Sequence, residues 1–449
     1  MNKNNNKRLI GTNVLMVAAL AFGQVAWAET NFVDQVAARS GDIRGIFSDT
    51  DTHHVFVMNG GSLGILNNSK LHVLFDNSPE ALFGNGEAVI GQDSYMDPAI
   101  ADVFDGGRLE VDGNIRIGVL GNGTLNVTDG GKVYSHSESL VGGYSGERYY
   151  GGTGTVNIKG ENSLWGINST YGLDVNNKGT LNIENGGKVG LAIDSGFPRP
   201  DIRVQLGGAI NVAGVDSHLG HLNKINVDGE VNVSDGGVAS ALDVYVGRTG
   251  ALALDNGGVL GKVPLGMDMG SRLVVHNYGT VSGDGGRIDG DVINYGLISP
   301  GNSPGILTIT GDLTLKNDSV LHMEIFGPTA YDQLIIGGNF VAGGVLELDF
   351  GGYTPGFDTA YDLFRVSRMS GDFSEIRYLN LAENFDTDLL SRGFDNGIFR
   401  LIMASNDDPV IPGDPGNNTV PEPSSGLLIA LGGLAMLMLR RRNSAISLI

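Results

Sequence analysis

The chain has 449 residues, no cysteine, and 50 acidic against 29 basic side chains, a net charge of −21. That excludes disulfides, thiolate metal sites and a cysteine nucleophile, and it argues against nucleic acid, whose phosphates need a basic surface. Glycine, at 71 residues, shows no Gly-X-Y period, and an apolar content of 41% is too high for disorder, so a folded, turn-dense β protein remains.

Residues 1–28 read as a secretory signal peptide. Lys3, Lys7 and Arg8 form the basic start, Val14 to Phe22 the apolar run, and Ala26-Trp27-Ala28 the small-x-small cleavage site. The mature chain is expected to begin at Glu29; the alternative is a buried N-terminal helix. Residues 29–105 lack a clear pattern and are expected to form an N-terminal cap and irregular first coils. Within them, Asp49, Asp51, His53 and His54 are metal-ligand types, but an irregular, solvated cap accounts for them more simply.

A repeated cassette fills residues 106–296. It appears as GTLNVTDGGKV from Gly123, GTVNIKGENSLWG from Gly154, GTLNIENGGKVG from Gly179, GAINVAGVDSHLG from Gly208, GEVNVSDGGV from Gly229 and GALALDNGGVLG from Gly250. Apolar and polar residues alternate, as in Leu125-Asn126-Val127, which is the period of a strand with one buried face. Asx-Gly-Gly follows at residues 129–131, 185–187, 235–237 and 256–258, supplying the positive φ of a sharp corner. From Thr124 through Thr155, Thr180, Ala209, Glu230 and Ala251 to Thr280 the steps are 31, 25, 29, 21, 21 and 29 residues. Unequal steps between equal cassettes suit a solenoid whose coils bury their apolar faces on one another. The competing fold is a sandwich of hairpins, since Asn-Gly and Asp-Gly also make hairpin turns.

These cassettes resemble the passenger repeats of autotransporter-type exported proteins. The resemblance extends to LISPGNSPGILTITGDLTL (Leu297 to Leu315) and the strand-rich residues after it. It implies an all-β, right-handed parallel β-helix in which residues 297–403 end the solenoid and cap its open edge. No barrel-like run of alternating strands follows Phe364, so self-translocation is not expected. Residues 404–419, polar and proline-rich, read as a flexible linker.

The tail, residues 420–442, has three parts in order: Pro421-Glu422-Pro423, an apolar stretch over 424–439, and Arg440, Arg441 and Arg442. Sixteen apolar residues form a short transmembrane helix, and the arginines stay on the cytoplasmic side as a membrane stop. The arrangement resembles the PEP-CTERM sorting signal of Gram-negative bacteria that make extracellular polysaccharide. It implies recognition and cleavage by an exosortase, a membrane-embedded transpeptidase, after a transient inner-membrane stage. A permanent tail anchor is the alternative.

Catalytic, cofactor and metal residues are assigned nowhere. Asp129, Asp235 and Asp255 sit in turns, where turn chemistry explains them. Asp284, Asp289 and Asp291 offer oxygen ligands for Ca²⁺ but lack the calcium-loop spacings, and His218 and His221 lack a zinc spacing. The expectation is a non-enzymatic cell-surface or matrix β-solenoid, structural or adhesive, with extracellular polysaccharide as a possible partner. The alternative is a β-helix lyase or hydrolase acting on exopolysaccharide.

Overall fold

The computed structural model describes residues 25–27, 35–38, 43–58, 60–74, 87–91, 98–143, 151–190, 199–262, 272–301, 304–383 and 385–404. The chain divides into two units, 1–404 and 405–449; the described residues all belong to the first. The linker, the sorting segment and the transmembrane stretch expected from the sequence lie outside them.

The first unit is a parallel β-helix with three strands to a typical coil. One coil runs through Gly179–Glu184 on the first face, Lys188–Gly190 on the second and Asp201–Val204 on the third. The next strand, Ala209–Ala213, then lies back on Gly179–Glu184 in parallel register. Among the described residues the first face stacks fifteen strands in this way. Its register joins Thr124 to Thr155, Thr180, Ala209, Glu230, Ala251 and Thr280 in turn. Those are the positions aligned by the cassettes, so each step in sequence is one coil. Parallel pairing throughout this region rules out the hairpin sandwich.

Alternation explains the core. Leu125, Val156, Leu181, Ile210, Val231, Leu252 and Val281 are register partners and all are buried. Each such side chain contributes about 1.5–3 kcal/mol on burial, and only the neighbouring coils can supply that burial. The intervening residues point outward. There Asn126, Asn157, Asn182, Asn211 and Asn232 form a ladder, each Nδ2 donating to the side-chain oxygen one coil back over 2.8–3.0 Å, and ending on the Asp102 carboxylate.

The Asx-Gly-Gly corners are type I′ turns in service of stacking. Asp129 and Gly130 have φ of 49° and 77°, and the Gly131 N–H closes the turn on the Thr128 carbonyl at 2.8 Å. Gly131 itself has no positive φ; a Cβ there would strike the carbonyl oxygen of Val103 in the preceding coil. The first glycine therefore serves the turn and the second the approach of two backbones. Asn185-Gly186-Gly187 and Asp235-Gly236-Gly237 repeat both features.

Coils begin earlier than the cassettes. Ile43–Ile46, Ser62–Ile65 and Ala99–Val103 pair in register on the first face and lead into Asn122–Thr128. At the other end, Ala360–Gly371 is parallel to Gln333–Ala342, but Ile398–Met403 runs antiparallel to it and to Leu390–Asp395. Phe340, Phe364, Phe373 and Phe399 cluster beneath this hairpin, with Phe364 and Phe399 stacked at 4.8 Å. The hairpin thus closes the second face. On the first face the last strand is Glu375–Leu379, whose outward Arg377 pairs with Glu375 and Glu347, and such charges discourage edge pairing.

Two alanine substitutions separate the roles of the corner glycines. Gly130→Ala has open space and is expected to cost only the left-handed strain, about 1–2 kcal/mol. Gly131→Ala forces coils apart and is expected to cost about 3 kcal/mol or more. Equilibrium unfolding of both variants checks the order.

Candidate binding cleft and sorting segment

The residues singled out by sequence fall into two groups. Pro421, Glu422, Pro423, Arg440, Arg441, Arg442 and Ala28 lie outside the described residues. Ala26 lies in Val25–Trp27, paired in parallel with Ile43–Gly45, a strand that cleavage after Ala28 would remove. Among the described residues no helix is long and apolar enough to cross a membrane.

The acidic candidates are engaged with backbone amides or with basic side chains. Asp291 accepts from the Asp312 N–H at 2.8 Å and pairs with Arg272 at 2.8 Å. Asp284 accepts from the Ile306 N–H at 3.4 Å, and Asp289 pairs with Arg287 at 2.9 Å. Asp49 accepts from the Lys70 N–H at 2.9 Å, while Asp51 faces His72 at 3.8 Å. His218 hydrogen-bonds Ser240 Oγ at 2.9 Å, and burial, then His221 and Lys188, push its pKa down to about 4. Among the described residues no three His, Asp or Glu side chains converge as a metal site would need. These carboxylates largely cap the next coil's amides.

A cleft of about 540 Å³ opens elsewhere, lined by Arg248, Tyr278, Tyr295, Lys316, Asn317 and Asp318. Its origin is a difference in corner length. Between the third and first faces, successive coils turn through residues 247–250, 278–279, 295–296 and 316–319. Two short corners are thus flanked by two long ones, giving a floor and two walls. Register through Val246, Asn277, Asn294 and Leu315 makes these four consecutive coils.

The floor is built from Asn-Tyr-Gly, used twice. Asn277 and Asn294 are fully buried; Asn277 Nδ2 donates to Asn294 Oδ1 at 2.7 Å and to the Leu297 carbonyl at 2.8 Å. The Gly279 N–H donates to Asn277 Oδ1 at 3.0 Å, and the Gly296 N–H to Asn294 Oδ1 at 3.3 Å. With the corners fixed, Tyr278 and Tyr295 stack at 4.5 Å with 7° between ring planes. They remain 41% and 37% exposed, so the pair presents edges and hydroxyls to solvent. Lys316 Nζ lies 5.9 Å from the Tyr295 ring centre.

Comparison with known proteins bears on the tail. Residues 419–442 match the family model described as the PEP-CTERM protein-sorting motif. This chain carries a PEP-CTERM motif. The motif implies export and processing by an exosortase-type enzyme. No curated protein matches the chain. Among solved structures, the crystal structure of the TibC-catalyzed hyper-glycosylated TibA fragment is similar at 16% identity, covering 79% of this chain and 95% of that one, with a TM-score of 0.37.

The PEP-CTERM motif accounts for the tail, and the body holds one further group that the cassettes do not foretell. Asp332 is fully buried and accepts from the Gly305 N–H through Oδ1 and the Glu324 N–H through Oδ2, both at 2.9 Å. It joins the end of the SPGNSPG loop to a first-face strand. Burial pushes its pKa up to about 6 from 3.8, although the two amides pull it down. Between those values the folded state holds a proton that the unfolded state has lost. Its contribution is full below about pH 4 and is lost as pH rises through about 6. The margin by which the native protein outlasts Asp332→Asn is expected to narrow by about 2–3 kcal/mol from pH 4 to 7. Paired unfolding curves measure this; a margin that stays flat removes Asp332 as the titrating group.

Proposed function

We propose that this protein is a non-enzymatic surface scaffold, exported, held briefly at the inner membrane by residues 424–439, and processed near Pro421-Glu422-Pro423 by an exosortase. It then serves as a structural or adhesive component of the envelope or of the extracellular polysaccharide matrix. The observation that carries this reading is a continuous stack of coils joined to a sorting motif. The acids favour it too, since the sequence candidates are engaged in capping amides or pairing with arginines. A solenoid offers many equivalent outward positions per molecule, which suits weak, multivalent contact.

The enzymatic alternative finds its best support in Asp318, which lines the cleft with Arg248 and Lys316. Release of reducing ends or unsaturated products from an acidic polysaccharide favours that alternative; no turnover favours the scaffold.

Processing is tested by mass spectrometry of the protein recovered from the cell surface or medium. The native chain is expected to lack residues 1–28 and everything beyond the motif. The variant with Pro421, Glu422 and Pro423 all changed to alanine is expected to stay in the membrane fraction with its mass intact through Arg442. Surface-recovered native protein extending through Arg442 contradicts exosortase processing.

A further inference from the structure

The cleft over Tyr278 and Tyr295 has three properties that restrict its ligand. First, it crosses four coils, and at about 4.8 Å per coil its length is about 14 Å, more than a single sugar ring occupies. An extended chain lying along the stack fits such a saddle. Second, its polar groups, the Asp318 carboxylate apart, include donors suited to oxygen: the phenol pair, whose hydroxyls also hydrogen-bond each other, the Asn317 amide, the Arg248 guanidinium and the Lys316 ammonium. Neither Arg248 nor Lys316 is ion-paired among the described residues, although acids outnumber bases 50 to 29 over the chain. Two such cations at one cleft select an anionic ligand of low charge density. Third, the tyrosine rings stack on each other, so they leave no slot for a flat base between them. Asp318 and the net charge of −21 further disfavour nucleic acid, with a phosphate at every nucleotide.

We infer that this cleft binds a segment of acidic polysaccharide, laid along the coil axis across the two Asn-Tyr-Gly corners. Arg248 and Lys316 pair with sugar carboxylates near the two walls. The tyrosine hydroxyls and Asn317 hydrogen-bond to ring hydroxyls between them, and Asp318 accepts from one more. A second stack, Tyr245 on His276 at 4.6 Å with Lys224 over Tyr245 at 4.7 Å, lies on the third-face strands Val238–Val246 and Leu273–Asn277, the latter leading into Tyr278, and extends the aromatic surface sideways. Only the short corners make this geometry. A four-residue turn at 278 or 295 would fill the saddle. The assignment rests on the scaffold reading, to which it adds a ligand class.

The test uses the full chain in its exported form, with polygalacturonate as the acidic probe and amylose as the neutral one, followed by affinity electrophoresis and calorimetry. The native protein is expected to bind polygalacturonate, more weakly as salt rises, and not amylose. Arg248→Gln with Lys316→Gln is expected to weaken binding about tenfold or more. Tyr278→Phe with Tyr295→Phe keeps the stack and is expected to weaken it a few-fold. Lys132→Gln with Lys188→Gln removes two cations from the second face and is expected to leave binding unchanged. Failure of the native protein to bind polygalacturonate, equal binding to amylose, or an equal loss in the second-face variant overturns the assignment. Thermal unfolding of each variant shows whether a loss of binding reflects a loss of fold. If the cleft variants lose binding yet are still processed and surface-exposed, the site and the sorting stand together. If binding is normal but the protein never leaves the membrane, the scaffold reading falls and the site remains.

Discussion

Backbone amides and carbonyls at each rim of a coil have to meet partners in the next coil, about 4.8 Å away, along nearly the whole perimeter. That spacing governs the choice of residues at faces, corners and ends. On the faces it demands side chains that stack on copies of themselves, hence columns of Leu, Ile and Val inside and a ladder of asparagines outside. At the corners it leaves no room for a Cβ where one backbone crosses another, as at Gly131 under the Val103 carbonyl. At the ends it leaves unpaired edges, which the Ile398–Met403 hairpin and the charges of Glu375 and Arg377 manage in different ways.

Much of this was legible because stacking writes a period into the sequence. Residues at equal height must be alike, so aligning Thr124 with Thr155 and Thr180 gave the true strand register. Coil lengths of 21 to 31 residues did not obscure it, because insertions enter at corners and leave the strand positions alike. Legibility failed where a corner used other chemistry. At Asn67 and Asn68 two asparagines take positive φ, of 60° and 56°, without the Gly-Gly signature, so the early coils carry no cassette in sequence. The Asn-Tyr-Gly corners are 17 residues apart, shorter than any step between cassettes, and their repetition at 277–279 and 294–296 is their one mark in the sequence. Asp332 gives little local cue: Glu324 lies eight residues before it across one corner, but Gly305, 27 residues back, is brought to it only by the stacking of coils.

The same constraint bears on function. In this solenoid acidic corner residues hold amides of the next coil, as Asp284 does at Ile306 and Asp291 at Asp312. Variation in corner length is cheap by comparison, since corners face solvent and the ladder survives them. Two short turns between two long ones are enough to shape a cleft, and the buried asparagines beneath them fix where its tyrosines sit. The PEP-CTERM motif adds export and sorting.

The absence of native cysteine allows a clean test of coil register by engineered cross-linking. Thr155 and Thr180 are outward-facing register partners on adjacent parallel strands, within the Cα separation that a disulfide spans. Thr155 and Ala209 are two coils apart, about 9.6 Å, beyond that reach. Under mild oxidation, Thr155→Cys with Thr180→Cys is expected to form an intramolecular disulfide in the folded protein, and Thr155→Cys with Ala209→Cys is not. A folded chain in which the first pair stays reduced, or the second closes as readily, contradicts the stacked parallel helix.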